Sequence, residues 1–419
     1  MNDLIRNIDS PEEVSAAAAE VRHVVDAREI TPNATLEVLE AWGNALGGPE
    51  TAAIPGIAFL RLWLRRNTLE PIITRELGQG ALYGKWMEDS GRSHLKAYPV
   101  GIVGHWPAGN IEIQPILSMT CGLLGGNACL VRVPRGLRDQ TYQLIGKLIE
   151  SDSDGLLTTR IRLLVFDHER LDLHRAMARS VDGAMIWGGE EAVSEIRSLP
   201  FAHWARMAVF GPRISVAAMD AASWCNLSAR EALCRRIARD VWQFDQQACS
   251  SPQVLFLERE KGHSADDFVQ ALRAAFEAEN RIHPRQTMDA ALTTAICQAR
   301  ASWLLEDVAN SALFPAGPDW TILLGQGSDI PPPTQGKTLT VLEVSDLQEP
   351  LAKLDGNVQT LGLAIADPER EETLASMAAS RGVDRIVQLG CMHVFGPPWD
   401  GIDLIRSMVR MVRHVRSLD

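Results

Sequence analysis

The feature of this sequence that most constrains its fold is an alternation of short apolar runs with helix-like stretches, which starts near residue 98. Four of the apolar runs are YPVGIVGHW (98–106), NACLVRVP (127–134), RIRLLVF (160–166) and DGAMIW (182–187). They are apolar at nearly every position, as strands buried on both faces are. Strands that alternate with helices join through right-handed crossovers into a parallel sheet. The sequence therefore predicts an α/β fold with helices on both faces of a parallel sheet.

The length of the chain predicts more than one domain. Its 419 residues are too many for one compact core. Residues 1–95 read as a helical segment. Residues 96–222 read as a first α/β domain, which residues 395–419 are candidates to rejoin. A second α/β domain is predicted over residues 223–394, where a Pro/Gly-rich stretch (314–338) reads as a surface excursion.

Charge and hydropathy narrow the classes of function. The net charge of −12 argues against binding along a nucleic-acid backbone. The N-terminus has no basic segment followed by an apolar one, and no apolar run reaches the length of a membrane span. We therefore expect no nucleic-acid partner, no membrane span and a cytoplasmic location, where thiols stay reduced.

The common nucleotide-binding motifs are missing. GQGALYGKW (78–86) has the wrong spacing for a phosphate-binding P-loop, and Trp86 stands where that loop needs Ser or Thr. No GxGxxG follows the first strand of the α/β region, and GLLGGNA (122–128) precedes a strand instead. The sheet pattern is thus typical of a dinucleotide-binding fold, whereas the usual phosphate cradle is absent.

One cysteine lies in an unusual setting. The sequence has seven cysteines, without a CxxC pair or a Cys/His cluster at zinc spacing, so no metal site or disulfide framework is predicted. Cys249 lies in FDQQACSSPQVLFLE (244–258), among small and polar residues just before an apolar run. The residues alone leave two alternatives open, which are a buried cysteine and an accessible nucleophile.

Several segments together resemble the aldehyde dehydrogenase superfamily, and within it the LuxC-like acyl-CoA reductases. The segments that carry this resemblance are AGN (108–110), FGPR (210–213), FDQQACSSPQ (244–253) and LGCMHVFGPPWDGIDLI (389–405). The resemblance implies an aldehyde dehydrogenase-like fold, with two Rossmann-like α/β lobes, a cleft between them and a helical N-terminal segment. It makes residues 96–222 the dinucleotide-binding domain and residues 223–394 the catalytic domain.

The resemblance also implies catalytic residues. Cys249 would attack a thioester carbonyl and form an acyl-enzyme. Asn110 would donate its side-chain amide to the developing oxyanion, and one such donor is worth about 3 kcal/mol of transition-state stabilisation; a turn-forming Asn is the alternative. His105, in GHWPAGN, is a candidate proton donor or nicotinamide contact, with a structural role as its alternative.

Four residues are the implied cofactor contacts. Arg132 ends a strand where the superfamily usually has a Lys at the adenosine ribose. Arg135 falls where NAD-preferring members carry an acid, and an Arg there would attract a 2′-phosphate. Gly188 and Gly189 would let a helix N-terminus approach the pyrophosphate. The prediction is NADPH, with NADH as the alternative. The structural alternatives are a solvated basic loop for the two arginines and a plain turn and helix cap for the two glycines.

A missing carboxylate indicates the direction of the reaction. Hydrolytic aldehyde dehydrogenases carry a Glu that activates water against the acyl-enzyme, whereas the matching stretch here is RMAVFGPR, with Val209 near that position. Without this base, water attack should be slow. The hypothesis is NADPH-dependent reduction of an acyl thioester, from acyl-CoA or acyl-carrier protein, with a fatty acyl group expected. The alternatives are a cysteine-dependent acyltransferase or thioesterase and a non-catalytic subunit. A homo-oligomer or a fatty-acid reductase-type complex is expected.

Overall fold

The computed structural model describes residues 4–27, 29–90, 92–285, 289–394 and 396–415. The chain forms two compact units, Met1–Gly211 with Gly396–Asp419, and Pro212–Phe395. In the described part of the chain, none of the helices combines the length and the apolar character that a membrane-crossing helix needs.

The first unit is built around a parallel sheet. Its helices are α1 (Pro11–Ala27), α2 (Pro32–Ala45), α3 (Ile57–Trp63), α4 (Arg66–Leu77), α5 (Gln114–Leu124), α6 (Arg138–Ser151), α7 (Leu171–Ser180), α8 (Glu190–Arg197) and α15 (Leu404–Ser407). Its strands are β1 (Ile5–Asn7), β2 (Met87–Ser90), β3 (Ser93–Pro99), β4 (Ile102–Trp106), β5 (Ala128–Val133), β6 (Ile161–Val165), β7 (Gly183–Trp187), β8 (Arg206–Phe210) and β16 (Val409–Val415). Six of them form a sheet in the order β1-β6-β5-β4-β7-β8, and every neighbouring pair in it is parallel.

Helices cover both faces of this sheet. Apolar side chains of α1, α7 and α8 pack in one cluster with Ile102 and Trp106 of β4. His105 of β4 points to the other face, because successive strand residues alternate, and it contacts Ser118 of α5 there. The chain leaves β4 for β5 and β6 on one side and returns to β7 and β8 on the other. Sheets of this kind bind ligands beyond the carboxyl ends of the strands, where the order reverses, which here is around β4.

The N-terminal segment, which the sequence predicts to be helical, also contains strands. Besides α1–α4 it supplies β1, which pairs with β6, and the strands β2 and β3. The antiparallel sheet β16-β3-β2 joins the C-terminal residues to this segment.

The second unit contains a seven-stranded sheet in the order β11-β12-β13-β10-β9-β14-β15. Its strands are β9 (Ile214–Met219), β10 (Pro252–Glu258), β11 (Ser311–Leu313), β12 (Thr321–Gln326), β13 (Thr338–Val344), β14 (Val358–Ala364) and β15 (Arg385–Gln388). Its helices are α9 (Ala221–Cys225), α10 (Leu227–Trp242), α11 (Ala265–Ile282), α12 (Ala290–Glu306), α13 (Gln348–Ala352) and α14 (Pro368–Ser380). All neighbouring strands are parallel except the edge pair β11–β12. Two apolar clusters fill its two faces.

The sequence predicts a domain boundary between residues 222 and 223, but the structure places the boundary earlier in the chain. The strand β9 pairs with β10 and β14 and so belongs to the second sheet, whereas the sequence placed it at the end of the first. The division therefore falls between Gly211 and Pro212. The Pro/Gly-rich stretch also differs from the expected surface excursion, because it contains the buried strand β12.

Candidate active site

Cys249 is an exposed thiol at the amino end of a central strand. It lies in the loop between α10 and β10, and β10 is flanked by β13 and β9 in the second sheet. The other exposed cysteine is Cys297, on α12. Burial raises the pKa of the Cys121, Cys129 and Cys234 thiols, that of Cys234 to about 12. Accessibility therefore leaves Cys249 and Cys297 as the best-placed thiols for reaction with a bulky acyl donor.

The loop before Cys249 begins with a left-handed turn. Phe244, Asp245 and Gln246 have φ angles of 55°, 52° and 61°. This region is unfavourable for residues other than glycine, by about 1 kcal/mol or more for each residue. Three consecutive residues in it require strong local contacts, and such strain is concentrated at functional sites in proteins.

Buried polar contacts fasten this turn to β13. The fully buried Gln246 side chain donates from Nε2 to the carbonyl oxygens of Pro252 and Thr338, both at 2.8 Å. Its Oε1 accepts from the Thr338 N–H at 2.7 Å. Oδ1 of Asp245 lies 3.1 Å from Nη2 of Arg285 and 3.5 Å from Nζ of Lys337. Burial lowers the pKa of Lys337. These contacts offset the cost of the left-handed turn.

The residues on both sides of the Cys249 carbonyl are fastened as well. The Ser215 hydroxyl, on β9, donates to the Cys249 carbonyl oxygen at 2.6 Å. The Ser250 hydroxyl lies 2.9 Å from Nδ1 of His393, whose Nε2 lies 2.7 Å from the Asp240 carbonyl oxygen. Because a carbonyl only accepts, Nε2 carries the proton and Nδ1 accepts from Ser250. Burial lowers the pKa of His393 to about 4, so the imidazole is neutral near pH 7.

The segment that carries His393 is held by α10. The Asp240 carboxylate accepts from the N–H groups of Gly390 at 2.7 Å and Met392 at 3.3 Å. Burial raises the pKa of Asp240 to about 6. The helix that leads into the cysteine loop therefore also fixes the histidine that contacts the loop.

A cavity of about 690 Å³ in the second unit lies away from this thiol. Its lining includes Arg259, Glu260, Ser264, Gln326 and Glu343, which lie at or beyond the carboxyl ends of β10, β12 and β13. Cys249 lies at the amino end of β10, so this cavity is at the opposite edge of the sheet.

In the first unit, the implied cofactor residues lie at one edge of the sheet. Arg132 and Arg135 lie at and beyond the carboxyl end of β5, and Gly188 and Gly189 follow β7. Asn110 is exposed in the loop after β4, the strand between them. In this loop the Ala108 N–H donates to Oε1 of Gln114 at 2.7 Å. The topology thus brings together residues from three sequence segments where such sheets bind ligands.

These residues fit a dinucleotide. The guanidinium Nε of Arg132 is buried and has no hydrogen-bond partner in the described structure, and burial lowers the pKa of Arg132. A Cβ added at Gly189, the residue before α8, would meet nothing within 4 Å, so a phosphate could approach the backbone. Arg135 is largely exposed and pairs with Asp167, with Nε and Oδ1 at 2.7 Å. The exposed acids Glu190 and Glu191 in the first turn of α8 would have to point away from a phosphate.

His105 differs from the other implied residues because it is fully buried. Its Nδ1 lies 2.8 Å from the Ser118 hydroxyl, which also accepts from the Trp187 indole N–H at 3.0 Å. Burial lowers the pKa of His105 to about 3. This environment favours the structural alternative for His105, as a neutral link between β4, α5 and β7.

Comparison with known proteins decides the family. The sequence model of the family described as "Acyl-CoA reductase (LuxC)" matches residues 47–411, which is most of the chain. The protein belongs to this family. The long-chain acyl-protein thioester reductase of Aliivibrio fischeri is 23% identical to it over 365 residues, which cover 84% of this chain and 72% of the relative. The corresponding Vibrio harveyi protein is 22% identical over 378 residues, covering 88% and 75%.

Solved structures show that this LuxC-family protein has the aldehyde dehydrogenase fold. The aldehyde dehydrogenase from Brucella melitensis biovar abortus has a TM-score of 0.72 at 13% identity, covering 96% of this chain and 88% of that one. Glyceraldehyde-3-phosphate dehydrogenase from Methanocaldococcus jannaschii, solved with NADP, has a TM-score of 0.72 at 11% identity, covering 98% and 96%. A bifunctional proline utilization A protein has a TM-score of 0.73 at 16% identity, and the chain spans 46% of its length. The predicted family and fold are confirmed.

The sequence reasoning assigned no role to His393, Ser250 or Asp240 of this LuxC-family protein. His393 and Ser250 both lie within the segments that carried the resemblance, but nothing in the sequence links them across 143 positions. Gln246 lies in the same segment as Ser250, and the hydrogen bonds of its side chain with Pro252 and Thr338 give it a part in ordering the loop.

Proposed function

We propose that this protein reduces an acyl thioester to the aldehyde with NADPH, through an acyl-enzyme on Cys249. The observation that carries the proposal is an exposed thiol on a strained loop that buried side chains hold on both sides, in a chain of the acyl-CoA reductase family. The names of the relatives support a long-chain acyl thioester delivered by a protein, and the family description supports acyl-CoA as the donor. A cytoplasmic location and assembly into a homo-oligomer or reductase complex remain predictions.

The chain's own residues have defined parts in the proposed reaction. The Cys249 thiolate attacks the thioester carbonyl carbon, so that a C–S bond to the enzyme forms and the C–S bond to the donor breaks. The donor leaves as a thiolate and takes up the proton that the Cys249 thiol lost on ionisation. Asn110 is proposed to donate to the acyl carbonyl oxygen. NADPH, when bound, would supply the hydride that turns the acyl group into aldehyde, with the Cys249 sulfur leaving as the thiolate. Arg132, Arg135, Gly188 and Gly189 are the proposed cofactor contacts.

The persistence of the acyl-enzyme follows from the composition of β8. This strand reads Arg-Met-Ala-Val-Phe over residues 206–210 and contains no carboxylate. With no general base at Val209, hydrolysis of the acyl-enzyme should be slow compared with its reduction.

Mass spectrometry of the intact protein tests the proposal. After incubation with a long-chain acyl-CoA, the wild-type protein should gain the mass of one acyl group, and subsequent NADPH should remove it with release of aldehyde. The Cys249→Ala variant should gain no acyl mass, whereas Cys297→Ala, which removes the other exposed thiol, should react normally. Acylation of Cys249→Ala would contradict the assignment. Release of the acyl group without NADPH oxidation would favour the acyltransferase or thioesterase alternative.

A further inference from the structure

An ion pair lies at the edge where the adenosine ribose is proposed to bind. The strands β5 and β6 are parallel neighbours, with Val133 opposite Val165. Arg135 and Asp167 each lie two positions beyond these partners, so they leave the sheet at the same level. Nε of Arg135 and Oδ1 of Asp167 are 2.7 Å apart, with 68% and 43% of the two side chains exposed.

The pair changes the electrostatics expected from the sequence. Arg135 alone would present an unopposed cation to a 2′-phosphate. In the structure the neighbouring strand brings a carboxylate to the same place. Asp167 also acts on Arg132, because its charge partly opposes the lowering of the Arg132 pKa by burial. Asp167 thus acts on the guanidinium groups of both Arg135 and Arg132.

We propose that Asp167 is a specificity-determining residue that disfavours NADPH relative to NADH, an inference that rests on the proposed function. A ribose 2′-hydroxyl donates a hydrogen bond to a carboxylate, whereas a 2′-phosphate only accepts near pH 7 and is repelled by it. A 2′-phosphate also has to share the Arg135 guanidinium with Asp167, which already occupies its Nε–H. Asp167 therefore limits the NADPH preference that Arg132 and Arg135 create.

Binding of the two cofactors without acyl substrate tests this proposal directly. Dissociation constants of NADPH and NADH are measured by titration calorimetry at physiological salt for wild type, Asp167→Asn and Arg135→Gln. Removal of the Asp167 charge should raise the affinity ratio of NADPH to NADH by about fivefold or more, because a screened like-charge repulsion is lost. Arg135→Gln should lower the ratio by a similar factor.

The matched control is Asp89→Asn. Asp89 forms an ion pair with Arg413 at 2.8 Å on the antiparallel sheet of the same unit, and its removal should change the ratio by less than about twofold. If both cofactors bind but Asp167→Asn changes the ratio no more than this control, the role of Asp167 is refuted. If the wild-type protein binds neither cofactor, the proposed function fails instead.

Discussion

The Gln246 side chain offers the sharpest test of how the cysteine loop is held. Replacement by Met keeps the length of the side chain and removes its three buried hydrogen bonds, to the Pro252 and Thr338 carbonyls and from the Thr338 N–H. The Thr338 N–H would keep its bond to the Gln335 carbonyl at 3.2 Å. At about 1 kcal/mol net for each bond, the expected loss of stability is about 3 kcal/mol.

This loss is comparable to the cost of the turn that Gln246 holds. Three non-glycine residues in the left-handed region cost about 3 kcal/mol together. Without the three bonds, the left-handed conformation of residues 244–246 should no longer be favoured, and Cys249 should lose its fixed position. Gln246→Met should therefore slow acylation of Cys249 as well as destabilise the second unit.

Hydrogen exchange followed by mass spectrometry measures the local effect. A loss of about 3 kcal/mol corresponds to roughly 100-fold less protection, because each 1.4 kcal/mol is a factor of ten. Peptides that cover the starts of β10 and β13 should show it. The acylation rate is read from the intact mass in the same samples.

Gln359→Met is the matched control for this substitution. Gln359 is 3% exposed and lies in the same unit, but its Nε2 has no hydrogen-bond partner in the described structure. Its replacement should cost less than about 1 kcal/mol, since it relieves an unsatisfied polar atom. If Gln246→Met lost no more protection and no more acylation rate than Gln359→Met, the idea that this glutamine holds the turn would be wrong.

Four further predictions concern Ser250, His393 and two glycines near the two sites. Ser250→Ala should slow acylation and cost about 1 to 2 kcal/mol, because Nδ1 of His393 loses its donor; urea unfolding and intact mass check this. Because the folded-state pKa of His393 is lowered to about 4, its contribution to stability is complete above the unfolded pKa near 6.5 and is lost as pH falls through 4. Stability of the wild type should thus fall more steeply than that of His393→Gln between pH 6.5 and 4, by up to about 3 kcal/mol. Gly390→Ala should cost about 2 kcal/mol or more, since Gly390 has φ of +96° and a Cβ would lie 2.5 Å from Cβ of Arg236. Gly189→Ala, which meets nothing, should leave thermal stability unchanged and weaken cofactor binding; equal melting temperatures for both variants would contradict this.

The sequence predicted those parts of the fold that local patterns determine. Continuous apolar runs identified β4 to β7 because strands buried on both faces need apolar residues at every position. The strand β12 was missed because Pro and Gly surround it, and these residues usually indicate a loop. The strand β9 was recognised but placed in the wrong sheet, because pairing with β10 and β14 is a non-local property that a run of apolar residues does not encode.

In the candidate sites, too, the sequence indicates what depends on neighbouring residues and misses what depends on contacts between distant segments. The small neighbours of Cys249 suggested an accessible thiol, and the thiol is exposed. Asp167 was missed because it comes from the strand beside the one that carries Arg135, and only the register of β5 and β6 brings them together. His105 was chosen for its closeness to Asn110 in sequence, but its place in an apolar strand run was the better indicator of burial.

The anchors of the cysteine loop also determine what a pH profile of acylation can report. His393 has a pKa lowered to about 4 and Asp240 one raised to about 6, so above pH 7 the first is neutral and the second ionised. Gln246 and Ser250 do not titrate in this range. The hydrogen bonds that these four residues contribute to the position of Cys249 are therefore constant from pH 7 upward. A rise in acylation rate above pH 7 should then reflect ionisation of the attacking thiol or loss of the Lys337 charge beside Asp245, and a Lys337→Met variant separates the two. A second inflection near pH 6 that disappears in Asp240→Asn would assign the lower limb of the profile to the Gly390–Met392 turn.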